Sequence, residues 1–326
     1  MIYSVGDIRH LHVELSSLCN ASCPLCPRNL KGYPFNNGYR EHNMTLSEAQ
    51  QIFRPEFLQQ LTGITINGNF GDALMNPDTV DIVRYFFQHG PANINMSTNG
   101  GARDRAFWEA LAQTGLQIFF CLDGLEDTHS IYRQNTLYST VLRNAQTVIA
   151  AGGRAVWKFI VFDHNCHQVE SARALSKELG FEFFYVERNR SNNETAIYNK
   201  NKELVGIMGN PQIVELDVLI QRRLAAPTTT PVGPVYHPIS CEVKRSQSVY
   251  VSSVGHVYPC CYIGLSPETF NLPEYQQIRP MIQKNNALEY DLGTCIEWFN
   301  ELEASWALPD FDSGRIKKCN DVCGHR

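Results

Sequence analysis

The chain has 326 residues, which is enough for one barrel-sized domain and a smaller one. Hydrophobic residues make up 43% and charged residues 19%, as in ordinary globular proteins. The formal net charge of −5 argues against a general nucleic-acid binder, because such proteins are usually basic. No apolar run reaches the length of a membrane span and the first residues lack a signal-peptide pattern, so we expect a cytoplasmic protein without membrane contact. In a cytoplasmic protein the 11 cysteines are expected to serve metal clusters rather than disulfides.

Strand-like and helix-like segments alternate over the first 190 residues, as in a βα series. The first strand is predicted over residues 8–16, and Thr45 begins the first helix with a capping box to Glu48. Further strands are predicted over residues 64–67, 94–97, 116–122, 155–162 and 181–187, and helices over 78–89, from 103, 138–150 and 168–179. Six βα units are too few for a closed eight-fold barrel.

Three cysteines follow the first strand in Cys-x3-Cys-x2-Cys spacing: Cys19, Cys23 and Cys26. Three thiolates in one loop can hold a 4Fe–4S cluster and leave one iron open for chemistry. The alternative is a structural zinc site with a distant fourth ligand, although zinc sites favour paired Cys-x2-Cys.

This loop resembles the cluster loop of the radical S-adenosylmethionine (SAM) enzymes. The resemblance implies an α/β fold with a partial (β/α)6 TIM-type barrel. It also implies that the open iron chelates SAM and that one electron cleaves SAM to a 5′-deoxyadenosyl radical. The electron would come from a donor such as flavodoxin or ferredoxin.

The ends of the second and third strands resemble the SAM-binding motifs of that family. Residues 67–73 resemble a Gly-Gly-Glu-Pro motif, with Asp72 in place of the glutamate, Ala73 in place of the proline, and Gly71 allowing close backbone approach. The third strand ends in a Thr-Asn-Gly pattern. The resemblance implies SAM contacts from Gly71, Asp72, Ser97, Thr98 and Asn99.

The fourth and fifth strand ends are also similar to the family. Relatives often have Ser-x-Asp-Gly followed by arginine, and here Cys121 stands at the serine position, with Asp123 and Arg133 after it. Arg133 is expected to bind the SAM carboxylate with its planar fork, and Asp123 and Asn165 are expected to belong to the SAM site. Cys121 is either a catalytic residue or a small buried hydrophobe.

Two charged residues inside predicted strands are further catalytic candidates. Lys158 lies in the apolar fifth strand, where it either points into the barrel or reaches solvent at an edge. Glu14 shares a face of the first strand with His12. A paired structural role is the alternative for both, and Glu14 is the better candidate for the site.

The C-terminal region contains a second cysteine set. Cys241 and Cys260 flank a predicted hairpin around Gly255, in Cys-x13-Gly-x4-Cys spacing. This arrangement resembles the opening of the SPASM and twitch extensions, which hold auxiliary iron–sulfur clusters. The resemblance implies one auxiliary 4Fe–4S cluster of the twitch type, with Cys241, Cys260, Cys319 and Cys323 as ligands.

Two other C-terminal cysteines leave the ligand set open. Cys261 adjoins Cys260 and could replace it, whereas Cys295 lies in a predicted amphipathic helix and is expected in the core. The alternative to a cluster is a zinc ribbon on the same four ligands.

Three regions are therefore predicted: a radical SAM barrel over residues 1–190, a connecting segment over 191–235, and a small α+β auxiliary-cluster domain over 236–326. The implied activity is hydrogen abstraction from a peptide, protein or small-molecule substrate, giving modification, dehydrogenation or epimerisation. The short N-terminal lead makes a ribosomal peptide less favoured. Alternatives are a nucleotide-modifying or cofactor-building relative, or a non-catalytic iron–sulfur or zinc protein on the same scaffold.

Overall fold

A mostly parallel sheet of eight strands, covered by helices, is the framework of the chain. The computed structural model describes residues 4–30, 33–34, 39–188, 194–199, 201–209, 236, 238–265 and 276–324. The strands in these ranges are His10–Val13 (β1), Asn29–Leu30 (β2), Tyr33–Pro34 (β3), Gly63–Ile66 (β4), Ile94–Thr98 (β5), Gln117–Cys121 (β6), Arg154–Val161 (β7), Phe183–Arg188 (β8), Thr195–Tyr198 (β9), Leu204–Met208 (β10), Ser248–Val251 (β11) and Val257–Tyr258 (β12).

The order of strands in the main sheet is β12-β11-β1-β4-β5-β6-β7-β8. From β1 through β4 to β8 each neighbouring pair is parallel, so six strands point the same way and their carboxyl ends share one edge. The α/β fold with a partial (β/α)6 barrel, predicted from the sequence, is confirmed. Loops at the carboxyl edge carry the functional residues in folds of this type.

The helices return the chain between the parallel strands. Thr45 accepts a hydrogen bond from the Glu48 amide and the Glu48 side chain bonds back to the Thr45 amide, so the predicted capping box is confirmed. The described helices are Leu46–Ile52, Pro55–Gln59, Thr79–His89, Arg105–Ala112, His129–Tyr132, Tyr138–Ala150, Val169–Glu178, Glu242–Arg245, Leu292–Ile296, Phe299–Ser305 and Lys317–Cys323.

The main hydrophobic core lies between the helices and the outer face of the sheet. Ile118 and Phe120 of β6 and Trp157 of β7 are fully buried there, and Trp108 packs on Phe120 with 5.2 Å between ring centroids. Residues that alternate with these along each strand face the interior of the barrel. The sequence alternation along a strand thus determines which side chains can reach a bound substrate.

The C-terminal hairpin continues the barrel sheet. Strands β11 and β12 are antiparallel, and Gly255 in the turn between them has a φ of 86°, which favours glycine. The hairpin predicted around Gly255 is therefore confirmed. Strand β11 also pairs in parallel with β1, with Leu11 opposite Val249 and Val13 opposite Val251. The C-terminal region is thereby joined to the first strand of the barrel.

The polar composition of residues 189–201 predicts a surface loop, and this prediction is wrong in part. Strands β9 and β10 form an antiparallel hairpin here, and its inner residues Ile197 and Met208 are fully buried against Cys23, Tyr132 and Phe162. The residues around Thr195–Tyr198 are polar, so the sequence gives no strand pattern there. The short strand is stabilised by packing against distant residues. The sequence also predicts a helix over residues 211–224 and a break at the prolines and glycine of residues 227–234, and both lie outside the described residues.

Within the described part of the chain, no helix combines the length and apolar character required to span a membrane.

Candidate active site

The three N-terminal cysteines lie at the carboxyl edge of the sheet, directly after β1. Cys23 is buried, and Cys19 and Cys26 are partly buried. The Asn99 side-chain amide lies 3.6 Å from Cys19 Sγ, and Arg133 Nη1 lies 3.7 Å from Cys23 Sγ. Burial raises the pKa of all three thiols, that of Cys26 to about 12. Thiolates in this loop therefore require a compensating positive charge, which cluster irons provide.

Asp72 ties the loop after β4 to the end of β5. Its carboxylate accepts hydrogen bonds from Thr98 Oγ1 at 2.8 Å and from the Asn99 amide at 2.6 Å. Burial raises the pKa of Asp72, and these donors oppose that effect. A Cβ at neighbouring Gly71 would lie 1.9 Å from the Ser16 carbonyl oxygen, so the backbone passes too close for any side chain.

A second network connects β6, β7 and the cluster loop. Arg133 Nε donates to Asp123 Oδ2 at 2.6 Å, and the guanidinium lies over the Tyr132 ring at 5.0 Å. Asp123 also accepts from the Ile160 amide, and Asn165 donates to the Asp123 carbonyl at 3.2 Å. Asp123 and Asn165 are fully buried. The network fixes the orientation of Arg133, whose Nη1 faces Cys23.

Glu14 lies behind this edge and contacts two distant segments. Its Oε1 accepts from the Phe70 and Gly71 amides at 2.8 and 2.9 Å, and its Oε2 accepts from the Tyr250 hydroxyl at 2.9 Å. The Ser253 amide is a fourth donor. These contacts give Glu14 a structural task, and its predicted catalytic role gains no support from them.

Cys121 and Lys158 are neighbours on the interior face of the barrel, because they are register partners in β6 and β7. Lys158 Nζ lies 2.7 Å from Glu187 Oε2 of β8, and both side chains are about one-fifth exposed (18% and 21%). Ser97 shares the interior face through β5, since Met96 beside it packs on the helix side. Lys158 thus faces the barrel interior and is paired with Glu187, and its catalytic role stays a prediction.

A cavity of about 420 Å³ lies beside β1 and β11 and is bordered by cysteines. The thiols that line it are Cys241, Cys260, Cys261, Cys319 and Cys323. His10, His12 and Tyr250 close the side toward the barrel. The Cys241 and Cys323 side chains are hydrogen-bonded to each other. This hydrogen bond is the larger cause, and burial the smaller cause, of a raised pKa at Cys241.

The donor set of this cavity fits an iron–sulfur cluster, whose irons bind cysteine thiolates. Cys295 does not border it; its side chain is fully buried in the core, near the Tyr290 carbonyl. Over the described ranges, no three Cys, His, Asp or Glu side chains converge as ligands of a single metal ion. A cubane binds each thiolate at a different iron, so its ligands surround a volume rather than a point.

Several contact residues have no sequence signal that identifies them. Tyr250 reaches Glu14 only because β11 pairs with β1, and Asn20 meets the Asn99 side chain at 3.0 Å only through the loop fold. Asn69 lies inside the glycine-rich motif, and it donates to the Cys261 carbonyl at 2.8 Å. Its position in that motif is the one clue that could have marked it.

Comparisons with solved structures give a clear likeness of fold. SuiB from Streptococcus suis bound to S-adenosylmethionine aligns with a TM-score of 0.56 and 14% identity over 88% of this chain and 71% of SuiB. SuiB bound to the precursor peptide SuiA gives 0.57 and 14%, over 89% and 64%. The protein anSMEcpe with bound AdoMet and the Cp18Cys peptide gives 0.56 and 15%, over 97% and 91%.

These structures are radical SAM enzymes, and this chain has their fold. No protein-family model matches the sequence, and no curated protein matches it either.

Proposed function

We propose that this chain is a radical SAM enzyme. The observation that carries the proposal is the arrangement of three thiols in one loop at the carboxyl edge of a partial barrel. Nitrogen donors from Asn99 and Arg133 face two of those sulfurs. When bound, a 4Fe–4S cluster held by Cys19, Cys23 and Cys26 supplies the electron that cleaves SAM to a 5′-deoxyadenosyl radical.

The surrounding residues bind and orient SAM in this proposal. Asp72 and the Gly71 backbone receive the amino group, next to the hydrogen bonds that fix Asp72 to β5. The guanidinium of Arg133 pairs with the carboxylate, because its Nε is engaged by Asp123 and its outer nitrogens face the cluster loop. Thr98 and Asn165 hold these loops in place.

We also propose an auxiliary 4Fe–4S cluster in the cysteine-lined cavity. Cys241, Cys260, Cys319 and Cys323 remain the preferred ligands, and Cys261 is a fifth thiol at the same cavity. Such a cluster would accept an electron from the substrate or help to position it. A zinc ribbon on the same residues is the alternative.

The proposed substrate is a peptide or protein side chain. Structures of the same fold contain bound peptides, SuiA in SuiB and Cp18Cys in anSMEcpe. The interior face of β8 offers Tyr185, which is 38% exposed and pairs in register with Lys158, beside the Lys158–Glu187 ion pair. A small molecule that undergoes dehydrogenation is the second candidate, because the ion pair offers both charges to a compact polar ligand.

The decisive test is SAM cleavage by the reduced protein. Replacement of Cys19, Cys23 and Cys26 by alanine should abolish 5′-deoxyadenosine formation and remove about four irons per chain. Cys166→Ser is the matched control, because Cys166 lies in the loop after β7 and its thiol donates to the nearby Asp163 carbonyl at 3.3 Å. Formation of 5′-deoxyadenosine by the triple variant would refute the assignment.

A further inference from the structure

The Glu14 carboxylate is fully enclosed and joins two segments that are far apart in sequence. It accepts hydrogen bonds from the Phe70 and Gly71 amides on one side, and from the Tyr250 hydroxyl and Ser253 amide on the other. Its exposure is 1%. A single side chain thus holds the loop after β4 and the hairpin β11–β12 together.

The two segments belong to different sites. Residues 68–72 form the loop assigned above to the SAM amino group. Tyr250 lines the cysteine-bordered cavity, and its ring meets the His12 ring edge-on at 4.9 Å. A second link runs from the Asn69 side-chain amide to the Cys261 carbonyl at 2.8 Å. The SAM loop and the auxiliary cysteines are therefore connected by short hydrogen bonds that are buried or partly buried.

The chemistry of the contacts favours a rigid connection. Three partners of Glu14 are backbone amides, which can only donate, and the Tyr250 hydroxyl donates as well, so an ionised carboxylate satisfies all four. A buried carboxylate retains its charge only while such donors are present. A Cβ at Gly68 would lie 2.5 Å from Glu14 Oε1, so the loop is pressed against the carboxylate. Movement of either segment therefore disturbs the other.

We propose that Glu14 is a positioning residue that couples the SAM loop to the cysteine-lined cavity. This inference rests on the proposed function for the identity of the two ligands, SAM and the auxiliary cluster. The hydrogen bonds of Glu14 are observed independently of that function. Loss of the Tyr250 hydroxyl should loosen the loop at residues 68–72, to which that hydroxyl is linked by way of Glu14. By reciprocity, SAM bound at that loop should stabilise the hairpin amides at residues 250–253.

The test compares Tyr250→Phe and Glu14→Gln with Tyr85→Phe in anaerobically reconstituted protein. Tyr85 is the matched control, because it also has a buried hydroxyl, which donates to the Phe53 carbonyl at 2.7 Å in the helix layer. The measurements are hydrogen–deuterium exchange at residues 68–72 and 250–253, with and without SAM, and the Kd for SAM.

We expect Tyr250→Phe to exchange faster at residues 68–72 and to bind SAM about three- to tenfold more weakly, the effect of one lost buried hydrogen bond. SAM should protect residues 250–253 in the unmodified protein and in Tyr85→Phe, but less in Tyr250→Phe. If the amides at residues 68–72 exchanged at the same rate in Tyr250→Phe as in the unmodified protein, the proposed coupling would be overturned. If the unmodified protein bound no SAM, the proposed function would fail, whereas the exchange at 68–72 without SAM would still decide the coupling.

Discussion

Arg133→Lys should weaken SAM binding while the barrel stays folded. The arginine forms a buried ion pair with Asp123 at 2.6 Å, and its side chain is 12% exposed. Lysine keeps the positive charge near Asp123 but loses the planar fork that can hold two carboxylate oxygens. Removal of the charge would be less informative, since an unpaired buried Asp123 would cost about 3–5 kcal/mol of stability.

The magnitude follows from the one contact that lysine cannot replace. A hydrogen bond to a charged group contributes about 1.5–3 kcal/mol, so the Kd for SAM should rise about tenfold or more. Isothermal titration calorimetry on anaerobic, reconstituted protein measures this, and thermal melting reports on folding.

Arg154→Lys is the control for this substitution, because Arg154 pairs with Glu182 at 2.8 Å at the opposite end of the strands. It should leave the Kd for SAM unchanged. Equal SAM affinity in Arg133→Lys and the unmodified protein would place the SAM carboxylate elsewhere and refute the assignment.

Two other variants probe the loop and the second cluster. Gly71→Ala should abolish SAM binding, because the alanine Cβ would lie 1.9 Å from the Ser16 carbonyl oxygen and displace the loop after β4. Equilibrium titration with SAM measures this, and unchanged binding would contradict the close approach. Iron analysis should give about eight irons per chain, and the same number in Cys295→Ala, because Cys295 lies in the core. About four irons with one zinc would instead support a zinc ribbon, and a loss of cluster iron in Cys295→Ala would make that cysteine a ligand.

The sequence predicts the barrel strands well because each has a clear local pattern. The helix Tyr138–Ala150 has the predicted bounds, and the ends of the strands differ from the predicted ones by at most three residues. Apolar alternation and capping are local properties, so a single sequence contains them. The cysteine loop is equally local, which explains why its position after the first strand could be predicted.

The remaining features depend on contacts between distant parts of the chain. Glu14 was predicted as a catalytic candidate because it shares the cavity face of β1, but its four donors come from residues 70–71 and 250–253. Nothing near Glu14 in the sequence indicates that β11 pairs with β1. The burial of Ile197 and Met208 over the cysteine loop is similarly a tertiary effect.

The parallel pairing of β11 with β1 has a consequence for the order of folding. His10 pairs with Ser248, so a contact in the middle of the sheet spans more than two-thirds of the chain. Pairings of such long sequence separation form late, because the loop entropy is lost before the contact is gained. During synthesis, the β1 edge that β11 later covers stays open until about residue 250 has emerged, and two donors to Glu14 are missing until then. The support of the loop after β4 by Glu14 is therefore complete only when the C-terminal hairpin has formed, and premature termination leaves an unpaired strand edge prone to aggregation.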